Sequence, residues 1–162
     1  MVQYKTGNLL ETNMDYICQQ VNCQGRMAFG IAKQIRKKWP IVYQNYMAKY
    51  NAANETLLLG DIQIIGLWED YYDTIFHQSV INMFSQYNYG YDGKRYTSYD
   101  AFWECLNRIA QTCPKGSKIS FPYRIDCGLG GANWPVIETM IYMVLGKDFD
   151  VYIYCLEDEK HD

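Results

Sequence analysis

The feature that most constrains this chain is its order of segments. Apolar, strand-like stretches alternate with stretches whose apolar residues recur at helical spacing, and glycine-bearing loops join them. Two of the strand-to-helix junctions are rich in glycine. One lies in "VNCQGRMAFGIAKQIRKKWP", residues 21–40, and the other in "CGLGGANW", residues 127–134. Alternating strands and helices predict a layered α/β domain with a largely parallel central sheet. In such sheets ligands bind beyond the carboxyl ends of the strands. The loops at 25–30 and 128–131 are therefore expected on the same rim.

The segments read as follows. Strands are expected at 2–5, 15–21, 57–68, 74–83, 118–121 and 151–156. Helices are expected at 31–39, with Ile31, Ala32, Ile35 and Trp39 on one face, and at 98–113, with Phe102, Leu106, Ile109 and Ala110. Ser98 or Thr97 can cap the second of these. Pro40 ends the first helix or opens another, which carries Ile41, Tyr43, Tyr46, Met47 and Tyr50. Pro135 opens a last helix and Gly146 stops it. "SQYNYGYDGKRY" reads as loop, and residues 156–162 as a solvated tail. His77 is expected in the 74–83 strand as a core or strand histidine, and His161 in the tail as a bystander.

The 162 residues suit one domain, 1–162. A net charge of −3 argues against bulk binding to nucleic acid. No apolar run approaches the roughly 20 residues that span a bilayer, and the N-terminal stretch lacks a signal-peptide core. Cys18, Cys23, Cys105, Cys113, Cys127 and Cys155 form no CxxC pair, and with two histidines a metal site is not expected. Scattered thiols suit a reducing compartment, so the expected location is the cytoplasm. Sixteen tyrosines have no explanation at this level.

A glycine loop before a helix has two readings. It is a tight turn, or it is a cradle in which backbone N–H groups and the helix N-terminus approach an anion. Two such loops on one rim can hold a diphosphate from both sides. Neither fits the dinucleotide pattern or the P-loop.

"VNCQGRMAFGIAKQIRKKWP" resembles the first ligand loop of macrodomains, the ADP-ribose-binding α/β/α modules, and "FPYRIDCGLGGANWPVI" resembles their second. "YKTGNLLE" near the start and "YIYCL" near the end are similar to the first turn and last strand of the same branch. That branch includes ADP-ribose 1''-phosphate phosphatases and ADP-ribosyl glycohydrolases. The resemblance implies a three-layer α/β/α fold with a mixed, largely parallel sheet. It also implies ADP-ribose or a derivative as ligand; no cofactor, metal or membrane partner is expected, and the chain is expected to be a monomer. Asn22 would bond the distal ribose. Gln24, Gly25, Gly30 and Ile31 would line the distal ribose and diphosphate, with Phe84 and Gln86 beside them. Cys127, Gly128, Leu129, Gly130 and Gly131 would offer backbone N–H groups from the other side. Asn8 and Leu9 would sit near the adenine, flanked by Cys155 and Leu156. Asn8 can also simply cap a turn, and residues such as Cys155 and Leu156 are more often plain core.

The chain departs from its relatives where chemistry is concerned. Glycohydrolases of the branch use a lysine and an aspartate, and Gln86 and Gly130 stand at those positions. Neither can act as a nucleophile or proton carrier. Lys94 and Arg95 read as loop charges. Relatives often carry a histidine where Gln19 stands. A glutamine can orient water but cannot shuttle a proton. Asp126 stands where many relatives have glycine; it supplies an acid–base group or faces outward. The expected activity is hydrolysis of ADP-ribose 1''-phosphate, with Asn22, Gln19 and Asp126 as catalytic residues. The alternatives are a non-catalytic ADP-ribose-binding module and a de-ADP-ribosylating hydrolase.

Overall fold

The computed structural model describes residues 1–54, 57–67 and 77–157. Six strands, β1 (Val2–Thr6), β2 (Tyr16–Asn22), β3 (Ile62–Gly66), β4 (Ser79–Gln86), β5 (Lys118–Pro122) and β6 (Asp150–Cys155), form one sheet in the order β1-β6-β5-β2-β4-β3. Every pairing is parallel except that of the edge strand β3, which runs antiparallel to β4. The expected mixed, largely parallel sheet is the observed one.

Among the described residues four α-helices cover the sheet: α1 (Gly30–Lys38), α2 (Pro40–Ala52), α3 (Tyr99–Thr112) and α4 (Trp134–Leu145). Ile35, Val42 and Tyr46 of α1 and α2 pack on Ile17, Val21, Val80 and Phe84. On the opposite face Phe102, Leu106, Ile137 and Ile141 of α3 and α4 pack on Cys18, Ile81 and Met83. The period of two along β2 and β4 thus sends alternate side chains into two cores. Local chemistry sets the helix ends. Ser98 Oγ accepts the N–H of Ala101, and Asn133 Oδ1 accepts that of Val136. Pro40 and Pro135 sit in first turns, and Arg36, Lys37 and Lys38 occupy the last turn of α1, where the dipole favours cations.

Two expected strands are corrected. The 57–68 segment becomes a turn at 57–60 followed by β3, because Gly60 takes φ +91° and its N–H bonds Phe84 O at 2.7 Å. β4 starts at Ser79 and runs three residues beyond the expected end, since Phe84, Ser85 and Gln86 are still buried between neighbours. His77 precedes the strand and is exposed, not a core residue. Trp68, the 74–76 start of that expected strand and His161 lie outside the described residues.

Candidate ligand-binding site

The five parallel strands end on one rim, and a cavity of about 710 Å³ opens there. Each strand end contributes to it. Gly7 and Asn8 follow β1, Arg26 and residues 28–32 follow β2, Gln86, Tyr89 and Tyr91 end or follow β4, 123–130 follow β5, and Leu156 follows β6. This volume falls within the range typical of small-molecule sites.

Asn22, at the end of β2 just past a register shift, organises the first glycine loop. Its Oδ1 accepts the N–H groups of Gln24 (3.0 Å) and Arg26 (3.3 Å), and its Nδ2 donates to Arg26 O (2.8 Å). The Tyr46 hydroxyl reaches up from α2 and donates to Asn22 O (2.7 Å) and Oδ1 (3.0 Å). Burial pushes the Tyr46 phenol well above its ordinary range, so it stays a donor. Gly25 adopts φ +73°, and a Cβ there would stand 2.9 Å from the Tyr50 ring. That glycine serves close packing, as a turn. Gly30 differs. It adopts φ +56° and a Cβ would meet nothing within 4 Å, beside the cavity. It opens α1, whose first turn has no side-chain cap. The N–H groups of Gly30, Ile31 and Ala32 have no acceptor within the helix, and all three residues line the cavity.

The second loop is clipped from below. Asp126 is 6% exposed and holds φ +69°, which L-residues rarely adopt. Its Oδ2 accepts from Ser85 Oγ at 3.2 Å, and among the described residues its Oδ1 has no partner. Burial holds its carboxyl well above the usual carboxylate range, against a smaller opposing effect of the Ser85 bond. Asp126 is therefore not the outward-facing residue, and burial disfavours its charged form. Cys127 donates weakly to Ile125 O, and burial, with Asp126 nearby, pushes its thiol up to about 11. Among the described residues no backbone acceptor takes the N–H groups of Gly128, Leu129 or Gly130. Those of Cys127 and Gly131 are used on Arg124 O and Gly128 O. Asn133 caps α4, so the free donors on this side belong to the loop and not to the helix end. A Cβ on Gly130 would point away from the opening, 2.5 Å from Asp126 O and 2.6 Å from Thr97 Oγ1.

Six expected site residues, Gln19 from the catalytic set and five from the ligand-binding set, do not line the cavity. Gln19 is fully buried under α1 and α2, its Nε2 bonded to Asn82 Oδ1 at 2.7 Å, because it shares the sheet face of Ile17 and Val21. Its neighbour Gln20 lines the cavity instead and donates to Thr97 Oγ1 at 2.8 Å. Gln24 turns to Tyr87 O. Phe84 is core, 5.9 Å from the Tyr46 ring. Gly25 packs on Tyr50, and Gly131, at φ +71°, packs on Lys94 O and Arg95. Cys155 sits in β6, its carbonyl taking the Gly7 N–H. Asn8, Leu9, Asn22, Gly30, Ile31, Gln86, Asp126, Cys127, Gly128, Leu129, Gly130 and Leu156 are brought together. Asn8 also caps the turn Leu9–Glu11 by accepting the Leu10 N–H.

The tyrosine-rich stretch after β4 was missed as a wall of the site. Gln86 pairs with Thr97, which closes the stretch into a loop whose ends touch. Tyr91 meets Phe29 edge-on at 5.1 Å, and Arg26 lies 5.6 Å from the Tyr89 ring centroid. Tyr96 and Thr97 N–H groups bond Gly130 O. One loop thus braces both glycine loops. Among the described residues, the ionisable acids and bases lining the cavity are Arg26, Arg124 and Asp126, whose carboxyl burial disfavours as an anion.

No family model and no curated protein matches the chain. Solved structures do. A protein of unknown function from Bacteroides thetaiotaomicron is 25% identical over 95% of this chain and 97% of its own, with a TM-score of 0.79. The macrodomain of Mycobacterium tuberculosis DarG is 20% identical over 95% of this chain and 97% of its own, with a TM-score of 0.74. Thermosipho africanus DarTG, solved in complex with ADP-ribose, is 21% identical, with a TM-score of 0.76. That match covers 98% of this chain but 43% of the other. With its mixed six-stranded sheet between two helical layers, the chain has the macrodomain fold.

Proposed function

We propose that the cavity binds ADP-ribose, free or attached to another molecule. One observation carries this reading. In a chain of net charge −3, the cavity presents two arginines, an uncapped helix N-terminus and three free loop N–H groups, and burial disfavours the charge of the one carboxyl among the described residues that line it. Such a surface suits a diphosphate. Asn8 and Leu156, at the far edge of the sheet, leave the β1–β6 end for the adenine, and the Asn22 loop takes the distal ribose. Calorimetry tests the reading. ADP-ribose binds, and AMP binds at least about tenfold more weakly because it lacks the second phosphate and distal ribose. No heat with ADP-ribose at millimolar concentration refutes it.

Hydrolysis of ADP-ribose 1''-phosphate is the second reading, and the placement of Asp126 favours it. An acid is the residue type such a reaction would use as a proton donor, and burial favours the protonated form of Asp126. Gln19 is not available to help it. Phosphate released from ADP-ribose 1''-phosphate, at a rate that Asp126→Asn lowers by roughly 10² to 10⁴, would establish this reading. Gln86 lines the cavity without an amine, so covalent lysine chemistry has no support.

A further inference from the structure

The Asn22 side chain has no acceptor left for a ligand. Its Oδ1 already takes hydrogen bonds from the N–H groups of Gln24 and Arg26 and from the Tyr46 hydroxyl. A carbonyl oxygen has two lone pairs, so three donors saturate it. What Asn22 can still offer is one N–H of Nδ2, since the other goes to Arg26 O. Two further acceptors of the lining are spent as well. Asn8 Oδ1 takes the Leu10 N–H. Asp126 Oδ2 takes the Ser85 hydroxyl, and its Oδ1 is enclosed. Yet a ribose brings hydroxyl protons into the cavity, and a hydroxyl that loses water without gaining an acceptor is costly.

Gln20, two residues before Asn22 on β2, supplies an acceptor. Its bonds fix which end of its amide is free. Asp126 O is a carbonyl and can only accept, so the Thr97 hydroxyl spends its proton there, at 3.2 Å. Toward Gln20, Thr97 Oγ1 is then an acceptor, and Gln20 Nε2 donates to it at 2.8 Å. Gln20 Oε1 is left as the free end. It has no partner among the described residues, and unlike Gln19 Oε1 and Asp126 Oδ1 it is not enclosed. It stands close against Gly130, 2.8 Å from where a Cβ would be, in the loop whose free N–H groups line the cavity. An acceptor set among donors repels phosphate oxygens and pairs with a hydroxyl. Gln86 also lines the cavity, but among the described residues no side-chain hydrogen bond orients its amide.

We propose that Gln20 determines specificity for the distal sugar: its Oε1, oriented by the Thr97 hydroxyl, accepts a hydrogen bond from a ribose hydroxyl, the contact that the saturated oxygen of Asn22 cannot make. The proposal rests on the ADP-ribose reading of the cavity. A ligand that ends at the diphosphate gains nothing from Gln20.

The test is a cycle between protein and ligand. Wild type and Gln20→Met are titrated by calorimetry with ADP-ribose, with ADP, and with ADP carrying a tetrahydrofurfuryl group, which is the distal ring without its hydroxyls. Gln20→Leu, which also lacks the acceptor, repeats the cycle, and melting temperatures check that each variant is folded. Both variants bind ADP within about twofold of wild type. They bind ADP-ribose about fivefold or more weakly, and removal of the ligand hydroxyls costs them about fivefold less than it costs wild type. In wild type alone, the side-chain amide resonances of Gln20 shift with ADP-ribose and stay in place with the tetrahydrofurfuryl ligand. Losses that are equal for all three ligands, or resonances that shift alike with both sugar-like ligands, overturn the proposal and leave the ADP-ribose reading standing. If wild type binds none of the three, that reading fails and the proposal falls with it.

Discussion

Replacing Gly130 by alanine adds one methyl group where three atoms already stand. The new Cβ would lie 2.5 Å from Asp126 O, 2.6 Å from Thr97 Oγ1 and 2.8 Å from Gln20 Oε1. Ordinary contact begins near 3.4 Å, so the nearest atom, a backbone oxygen, must give way by about 0.9 Å. That oxygen is fixed by Ala132 and Thr97, and Gly130 O is itself bonded to two N–H groups. Overpacking of this order costs about 1–3 kcal/mol. In a chain of this length each kcal/mol lowers the melting temperature by roughly 2–4 °C, so the variant melts about 2–12 °C early. Gly128 is the internal control. A Cβ there meets no atom within 4 Å and its φ is ordinary, so alanine leaves stability unchanged or slightly raised. Gly128 nonetheless lines the cavity, and a methyl beside its free N–H keeps a diphosphate at a distance. Differential scanning fluorimetry and calorimetry with ADP-ribose, run on both variants, separate the effects. Gly130→Ala loses stability, whereas Gly128→Ala keeps stability and loses about tenfold or more in affinity. A Gly130→Ala protein that melts with wild type would refute the packing argument, and a Gly128→Ala protein that binds like wild type would refute the cradle.

Three further outcomes follow from the same geometry. Tyr46→Phe leaves the Asn22 carbonyl without its buried donor and costs about 1–3 kcal/mol in urea unfolding, with weaker ADP-ribose binding because the first loop loosens; unchanged unfolding and binding would show that the hydroxyl is dispensable. Cys127 resists alkylation at neutral pH and reacts faster as pH rises toward about 11, where burial has placed its thiol; rapid labelling near pH 7 would contradict that placement. Because the Asp126 carboxyl is raised in the folded state, its contribution to stability is full below the ordinary carboxylate range and is lost as pH rises toward its folded value. Asp126→Asn therefore flattens the fall in stability on the alkaline side of about pH 4, and denaturant midpoints that track wild type across that range would argue against a buried neutral acid.

The class of fold was legible because it depends on local pattern. Apolar runs bounded by glycine and by helix caps gave the segments, and their alternation demanded a parallel sheet with both faces covered. Once that sheet exists, loops after parallel strands must share a rim, so the meeting of the 25–30 and 128–131 loops needed no coordinates. The identity of the lining side chains needed them. "DYICQQVN" carries two adjacent glutamines on a strand buried on both faces. Nothing in its hydrophobicity tells which faces Asn82 and which reaches Thr97, since the usual contrast of wet and dry faces is absent. The glycines posed the same difficulty. Gly25, Gly130 and Gly131 exclude a side chain because of Tyr50, Thr97 and Lys94, residues distant in the chain, while Gly30 and Gly128 face open space. The tyrosine loop carries no periodicity to read, and its role comes from rings that meet Phe29 and Arg26 only after the sheet has formed. Asp126 is the clearest case. Its sequence position gives an acid after a strand, but its charge is set by how much protein surrounds it, and desolvation is a property of the packed whole.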